Sequence, residues 1–186
     1  MKKINYVTEN WAKIKNAKMI LGPLGIEINN IKMETIEIQS NDVEEIAKYS
    51  AKQASQKLKC DVLKNDSGLF IEELKGFPGP YTHYADETIS EDGILKLMEG
   101  KENRKAYFKE VLAYCEYGEE PVTFTSITPG TIDTKKSGTY GWSWDFIFIP
   151  EGSSKTLGNY PDEIRLDMWS KDAYDKLAKY LKEKNK

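Results

Sequence analysis

Apolar residues recur every three to four positions in five stretches of this chain, a spacing that predicts amphipathic helices. The stretches are residues 11–21, 43–58, 81–87, 90–98 and 170–184. Capping signals agree with the longer ones. Asn10 precedes the first stretch, Gly22-Pro23 follows it, and Asn41 or Asp42 precedes the second.

Strand-like runs rich in β-branched and aromatic residues fill much of the remaining chain. They cover residues 4–8, 26–38, 61–64, 69–71, 106–117, 122–128, 131–135 and 146–149. Strands and helices mix without a strict βαβ repetition, and no repeat or linker interrupts them. The pattern therefore predicts an α/β protein, with residues 1–186 forming a single domain.

The charge balance excludes some classes of partner. The net charge is −3 and the basic residues are dispersed, which argues against nonspecific nucleic-acid binding and leaves room for a small phosphate ligand. Residues 1–7 lack the apolar run of a signal peptide, and no stretch is long enough to span a membrane. We therefore expect a cytoplasmic protein without a nucleic-acid or membrane partner.

A single histidine, His83, narrows the possible chemistry. It cannot form a histidine-rich zinc site, and a Ser-His-Asp mechanism would depend on it alone. Chemistry based on carboxylates and Mg²⁺ is the natural alternative.

The segment Thr8–Lys13 joins a predicted strand to a predicted helix. A helix N-terminus attracts anions, Thr8 and Asn10 can add hydrogen bonds, and Lys13 can add charge. The structural alternative, which is commoner, is that Asn10 only caps the helix and Lys13 only contacts solvent.

Two acids lie near the ends of predicted strands. If the strands of Glu37 and Asp66 are neighbours, both carboxylates can face one Mg²⁺ together with substrate phosphates. In a chain with 30 acidic residues the alternative is two unrelated surface acids. Asp66-Ser67-Gly68 can also be a simple turn, and Gly76–Pro80 a simple loop.

A third candidate segment carries two indoles around a small residue, Trp142-Ser143-Trp144, followed by Asp145. A nucleobase can stack on such a ring, although core packing is the commoner role of tryptophan.

Taken in order, these segments resemble the inosine triphosphate pyrophosphatase family, which hydrolyses nonstandard purine nucleotides. The similarity covers nearly the whole chain. The similar segments are Thr8–Lys13, Asp66–Leu69, Gly76–Tyr81, Gly93–Leu97 with Ala106–Phe108, Trp142–Asp145 and Phe148–Pro150. Each motif is weak alone, whereas the ordered set is specific.

The resemblance implies an elongated two-lobed fold with a mixed sheet and a central cleft, usually in a homodimer. It implies Mg²⁺-dependent cleavage of nucleoside triphosphates to monophosphate and pyrophosphate. Thr8, Asn10 and Lys13 would bind phosphates, Glu37 and Asp66 the metal, and Asp66 could also activate water. Trp142 would stack on the base and Asp145 would hold the motif or contact substrate. Further candidate substrate-binding residues are Ser67, His83, Ser143 and Trp144.

The chain also departs from the family pattern. Asn65 stands where an acid is usual, and Ser50 and His83 stand where lysines are usual, with Lys48 and Lys52 near the first of these. A late lysine and a Ser-His-Arg motif are replaced by Ile164 and Met168-Trp169-Ser170, with Arg165 close enough in sequence to compensate in part.

These departures leave three hypotheses. The leading one is a nucleoside triphosphate pyrophosphatase with altered base recognition. The second is a non-catalytic nucleotide-binding descendant of the family. The third is a hydrolase of a different phosphorylated substrate, with a pocket reshaped by His83 and Trp169.

Overall fold

The computed structural model describes residues 2–169 and 171–184, which form one mixed sheet and six α-helices. The strands are β1 Lys2–Val7, β2 Ile26–Ile31, β3 Val62–Ile71, β4 Pro78–Gly79, β5 Lys105–Cys115, β6 Val122–Ile132 and β7 Phe148–Pro150. The helices are α1 Trp11–Leu21, α2 Val43–Leu58, α3 Thr82–Thr88, α4 Ser90–Leu97, α5 Asp162–Trp169 and α6 Lys171–Glu183. The strand order is β2-β1-β3-β5-β6-β7, with β4 paired to β3. β1 runs parallel to β2 and β3, and the pairs β3–β4 and β6–β7 are antiparallel. The predicted α/β class with a mixed sheet is confirmed.

The chain folds as two compact units. The first comprises Met1–Asp66, Glu110–Ser126 and Ser170–Lys186, and the second comprises Ser67–Lys109 and Ile127–Trp169. A single domain over residues 1–186 stays a prediction.

The core of the first unit lies where α1 and α6 pack on strands of the sheet. Tyr6, Leu21, Leu63, Tyr174 and Leu177 are fully buried there. Both helices bury one apolar stripe, as the spacing of their residues predicts, and this burial stabilises the unit.

The second unit has its own apolar core. Leu69, Ile94, Ile132, Ile147 and Phe148 are fully buried in it. Helices α3 and α4 lie at 82–88 and 90–97, which confirms the two short helices predicted there.

Two strand predictions are wrong in ways that matter for the site. The predicted strand 26–38 ends at Ile31, because its partner β1 ends opposite it at Val7, where the chain turns into α1. Residues 32–42 have no regular structure, so Glu37 does not lie at a strand end.

The predicted strands 61–64 and 69–71 are one continuous strand, β3. Asp66 therefore lies inside a strand and not at its end. Asp66-Ser67-Gly68 is not a turn, because β4 folds back and pairs Leu69 with Gly79 and Phe70 with Pro78.

Three smaller differences concern the C-terminal third. The strand predicted at 146–149 is β7, which begins at Phe148 after a 3₁₀ turn at Ser143–Phe146. Helix α5 has no counterpart among the predicted elements. The predicted last helix is α6, and Ser170 lies outside the described residues.

Candidate functional site

The turn before α1 is organised by its own side chains. Thr8 Oγ1 accepts a hydrogen bond from the Asn10 N–H at 3.1 Å. Asn10 Oδ1 accepts from the N–H groups of Ala12 at 2.9 Å and Lys13 at 3.3 Å, which makes Asn10 the N-cap. The structural role of Asn10 is therefore present, whereas contact of Thr8 and Asn10 with phosphate stays a prediction.

Lys13 does more than contact solvent. Its Nζ donates a hydrogen bond to the backbone carbonyl of Asn65 at 3.0 Å. This bond places the ammonium of α1 beside the stretch of β3 that carries Lys64 and Asp66.

Side chains alternate along β3 and separate two environments. Lys64 and Asp66 share one face and are partly buried. Asn65 points to the other face, where it is buried and its Nδ2 donates to Glu110 Oε1 at 2.6 Å. Buried Glu110 was not predicted from the sequence, because its position in a strand-like run gave no sign that it would meet Asn65.

Lys64 connects β3 to the irregular segment 32–42. Its Nζ donates to Thr35 Oγ1 at 2.9 Å. Burial lowers the pKa of Lys64, and so does the charge of Lys13, while Glu37 and Asp66 oppose this shift. Two ammonium groups and two carboxylates thus share one electrostatic environment in the first unit.

Glu37 is exposed, but the backbone next to it is anchored to α2. The N–H of Ile36 donates to Gln53 Oε1 at 2.9 Å, and its carbonyl accepts from Ser50 Oγ at 3.5 Å. Ser50, the position where the family resemblance gave a lysine, is buried at this contact.

Glu37 and Asp66 fit the needs of a hard divalent cation. Mg²⁺ is commonly held by one or two carboxylates, with waters and substrate phosphates completing its octahedron. Within residues 2–169 and 171–184, no cluster of three or more His, Cys, Asp or Glu side chains could hold a metal on protein ligands alone. Binding of a metal by Glu37 and Asp66 stays a prediction.

In the second unit, the loop Gly76–Pro80 packs against Gly68 of β3. A Cβ on Gly68 would lie 2.4 Å from the carbonyl oxygen of Gly79, so only glycine permits this approach. Thr82 Oγ1 accepts from the Leu69 N–H at 2.8 Å and donates to the Gly79 carbonyl. Ser67, a predicted substrate-binding residue, is partly buried at the start of this arrangement.

The segment Trp142–Asp145 is fixed by a buried ion pair. Asp145 Oδ2 accepts from the Trp142 N–H at 3.1 Å and from Arg165 Nη1 at 2.7 Å, and Arg165 Nη2 donates to Asp162 Oδ1 at 2.7 Å. Burial raises the pKa of Asp145 to about 6, although Arg165 and the Trp142 N–H lower it. Arg165 therefore binds the motif itself, a role that its position next to Ile164 in the sequence did not suggest.

The two indoles of this segment differ in exposure. Trp142 is 37 % exposed, and Trp144 is buried in the core of the second unit. Ser143, with φ +53°, donates from Oγ to Asp86 Oδ1 on α3 at 2.7 Å. Stacking of a base on Trp142 stays a prediction, as do substrate contacts of Ser143 and Trp144.

His83 and Trp169, two further residues that the sequence singled out, have different surroundings. His83 is exposed on α3, with its Nε2 3.5 Å from Glu87 Oε1. Trp169 packs on Phe108 with ring centroids 5.7 Å apart, and its carbonyl accepts from Thr128 Oγ1 at 2.9 Å.

Comparison with known proteins identifies the family. The model of the Ham1 family matches residues 4–180. The chain belongs to the Ham1 family. This confirms the resemblance that the ordered motifs predicted.

Ham1 relatives cover most of the chain. It is 48% identical over 155 residues to a dITP/XTP pyrophosphatase of Methanopyrus kandleri, covering 83% of this chain and 82% of that protein. It is 43% identical over 161 residues to a dITP/XTP pyrophosphatase of Thermococcus kodakarensis, covering 87% and 86%.

Solved Ham1 structures share the fold. The Staphylococcus aureus Ham1 protein matches with a TM-score of 0.84 and 25% identity, over 98% of this chain and 100% of that one. A Ham1 protein from Coxiella burnetii matches with a TM-score of 0.86 and 23% identity over the same shares. In the part of the Ham1 chain that the structure describes, no helix has the length and apolar character needed to cross a membrane.

Proposed function

We propose that this protein hydrolyses nonstandard purine nucleoside triphosphates, such as dITP and XTP, to the monophosphate and pyrophosphate, with Mg²⁺ as the cofactor. One observation carries the proposal. Lys13, Lys64, Glu37 and Asp66 share one electrostatic environment beside the N-terminus of α1. The names of the relatives, dITP/XTP pyrophosphatases, support the same reaction class.

The charges of this group match a triphosphate–metal complex. Ammonium groups and a helix N-terminus attract phosphate oxygens. Carboxylates attract the divalent cation, which when bound neutralises phosphate charge and orients the reacting groups. Asp66, partly buried on β3, is the residue we propose as the base that takes the proton of the attacking water.

Base recognition is the part of the proposal most specific to this chain. Ile164 and Met168-Trp169-Ser170 stand where the family resemblance gave a lysine and a Ser-His-Arg motif, and Trp169 packs on Phe108. We therefore propose altered or relaxed base preference, with Trp142 as the stacking residue. A homodimer is proposed from the same resemblance, and light scattering after size-exclusion chromatography measures it.

The test is pyrophosphate release from ITP, dITP, XTP and the standard triphosphates, with Mg²⁺ and after chelation by EDTA. We expect turnover of at least one nonstandard nucleotide, lost with EDTA and reduced at least about 100-fold in Asp66→Asn. Asp133→Asn, at a partly buried acid of the second unit, is the control and should keep full turnover.

If the folded protein releases no pyrophosphate from any nucleotide, the proposed enzymatic activity is refuted. Binding of a nucleotide without turnover would instead indicate the non-catalytic alternative. Faster turnover of a monophosphate or sugar nucleotide would indicate a different phosphorylated substrate.

A further inference from the structure

Lys64 was not among the residues that the sequence singled out for phosphate binding. We propose that its ammonium binds the phosphates of the substrate, as an additional cation of the site. This inference rests on the proposed function, because it assigns a further residue to the same triphosphate.

The geometry of β3 carries the first step. Lys64 lies two residues before Asp66 and therefore on the same face of the strand. Lys13 Nζ contacts the backbone carbonyl of the residue between them, Asn65, at 3.0 Å. Lys64 thus lies next to both the predicted base and the lysine predicted to bind phosphate.

The contacts of Lys64 carry the second step. An ammonium has three N–H donors. Within the described residues the ammonium of Lys64 donates to Thr35 Oγ1, a neutral hydroxyl, at 2.9 Å. Thr35 lies two residues before Glu37, so this bond holds the ammonium beside the segment of the second predicted metal ligand. A partly buried cation held by a neutral hydroxyl keeps donors for an anionic ligand.

Two lysines of α2 that flank Ser50 form ion pairs elsewhere. Lys48 forms an ion pair with Glu44 at 2.7 Å, and Lys52 forms one with Glu120. Both side chains are substantially exposed. Neither therefore shares the environment of Asp66 as Lys64 does.

Contacts with the segment 32–42 give a third argument. Ser50 Oγ reaches the carbonyl of Ile36, and Lys64 Nζ reaches the neighbouring Thr35. Ser50, at the position that the family resemblance assigned to a lysine, and Lys64 therefore contact adjacent residues, Ile36 and Thr35. Position 50 carries no cation, whereas position 64 carries one.

The test uses inorganic tripolyphosphate, which carries the phosphates without a base, in the presence of Mg²⁺. Isothermal titration calorimetry of the full chain measures its Kd for wild type, Lys64→Met, Lys64→Arg and the control Lys48→Met. We expect Kd to rise at least about 10-fold in Lys64→Met, as for the loss of one charge-assisted hydrogen bond. Lys64→Arg should stay within about 5-fold of wild type, and Lys48→Met within about 2-fold.

A second measurement separates binding from mere support of the fold. If Lys64 contacts phosphate, the Kd of Lys64→Met depends less on ionic strength than that of wild type, because one screened ionic contact is gone. If Lys64 only ties β3 to Thr35, Lys64→Met and Lys64→Arg weaken binding equally and the salt dependence stays unchanged, which would overturn the inference.

The outcomes also separate this inference from the proposed function. Wild type that binds tripolyphosphate through Lys64 but releases no pyrophosphate from nucleotides contradicts the enzyme and keeps the phosphate-binding role. Wild type that turns over dITP while Lys64→Met binds tripolyphosphate with unchanged Kd contradicts the role of Lys64 alone. Absence of tripolyphosphate binding by wild type contradicts it as well.

Discussion

Replacing Arg165 by methionine removes a guanidinium that holds two carboxylates in the second unit. Arg165 is 4% exposed, and it contacts Asp145 and Asp162 at 2.7 Å each. Methionine has a similar length and no charge, so the change leaves buried Asp145 without its cationic partner. Breaking a buried pair from one side costs about 3–5 kcal/mol.

That free energy converts to a measurable shift. For a chain of this size about 1 kcal/mol corresponds to a change of roughly 2–4 °C in Tm, so Arg165→Met should melt about 6–20 °C lower. Circular dichroism during heating at pH 7.5, where Asp145 is ionised, measures Tm. Lys136→Met is the control, because its pair with Asp92 is exposed and its loss should leave Tm within about 2 °C.

A double-mutant cycle tests the reason for the loss. Asp145→Asn alone leaves the guanidinium of Arg165 with one carboxylate fewer, whereas Arg165→Met with Asp145→Asn leaves neither charge unpaired. We expect the double variant to lose at least about 1 kcal/mol less than the sum of the single losses, measured by urea unfolding. Additive losses, or an Arg165→Met protein that melts like wild type, would refute the reasoning.

The remaining predictions concern pH, packing and capping. Since the folded-state pKa of Asp145 is raised from 3.8 to about 6, its contribution to stability is fully present below pH ~4 and is lost as pH rises through ~6. The free energy of unfolding of wild type relative to Asp145→Asn should therefore fall by roughly 2 kcal/mol from pH 4 to pH 7, and a difference that does not change with pH would contradict the raised pKa of this buried carboxyl. Gly68→Ala should cost about 1–3 kcal/mol by urea unfolding, because its Cβ would lie 2.4 Å from the Gly79 carbonyl oxygen, whereas Gly22→Ala, with nothing within 4 Å, should be nearly neutral. Asn10→Ala should cost about 1 kcal/mol through loss of the α1 cap and Asn10→Asp should restore it; equal stability of all three proteins would show that the cap contributes nothing.

Local pattern was enough to predict the parts of the site that are local. The turn at Thr8–Lys13 and helix α2 follow from capping residues and apolar spacing, which act within one or two turns of chain. The order of the motifs was enough to predict the family.

The positions of Glu37 and Asp66 relative to the strands depend on strand pairing, and the local sequence pattern does not determine that pairing. Glu37 lies outside a strand because β1 ends at Val7 and leaves residues beyond Ile31 without a partner. Asp66 lies inside a strand because β4 returns to pair with β3. Partners such as Thr35 for Lys64 and Arg165 for Asp145, 29 and 20 residues apart in the chain, are likewise set by tertiary folding.

The contact between Lys13 and position 65 has an evolutionary consequence. Lys13 binds the backbone carbonyl of this residue, and a carbonyl is present whatever side chain the gene encodes. Position 65 can therefore change from an acid to asparagine while the anchor of Lys13 is kept.

The contact of Asn65 on the opposite face of β3 restricts which side chains position 65 can carry. The Asn65 side chain donates to buried Glu110, and an acid at 65 would set two carboxylates against each other there. Substitutions at 65 and 110 are thus expected to depend on one another.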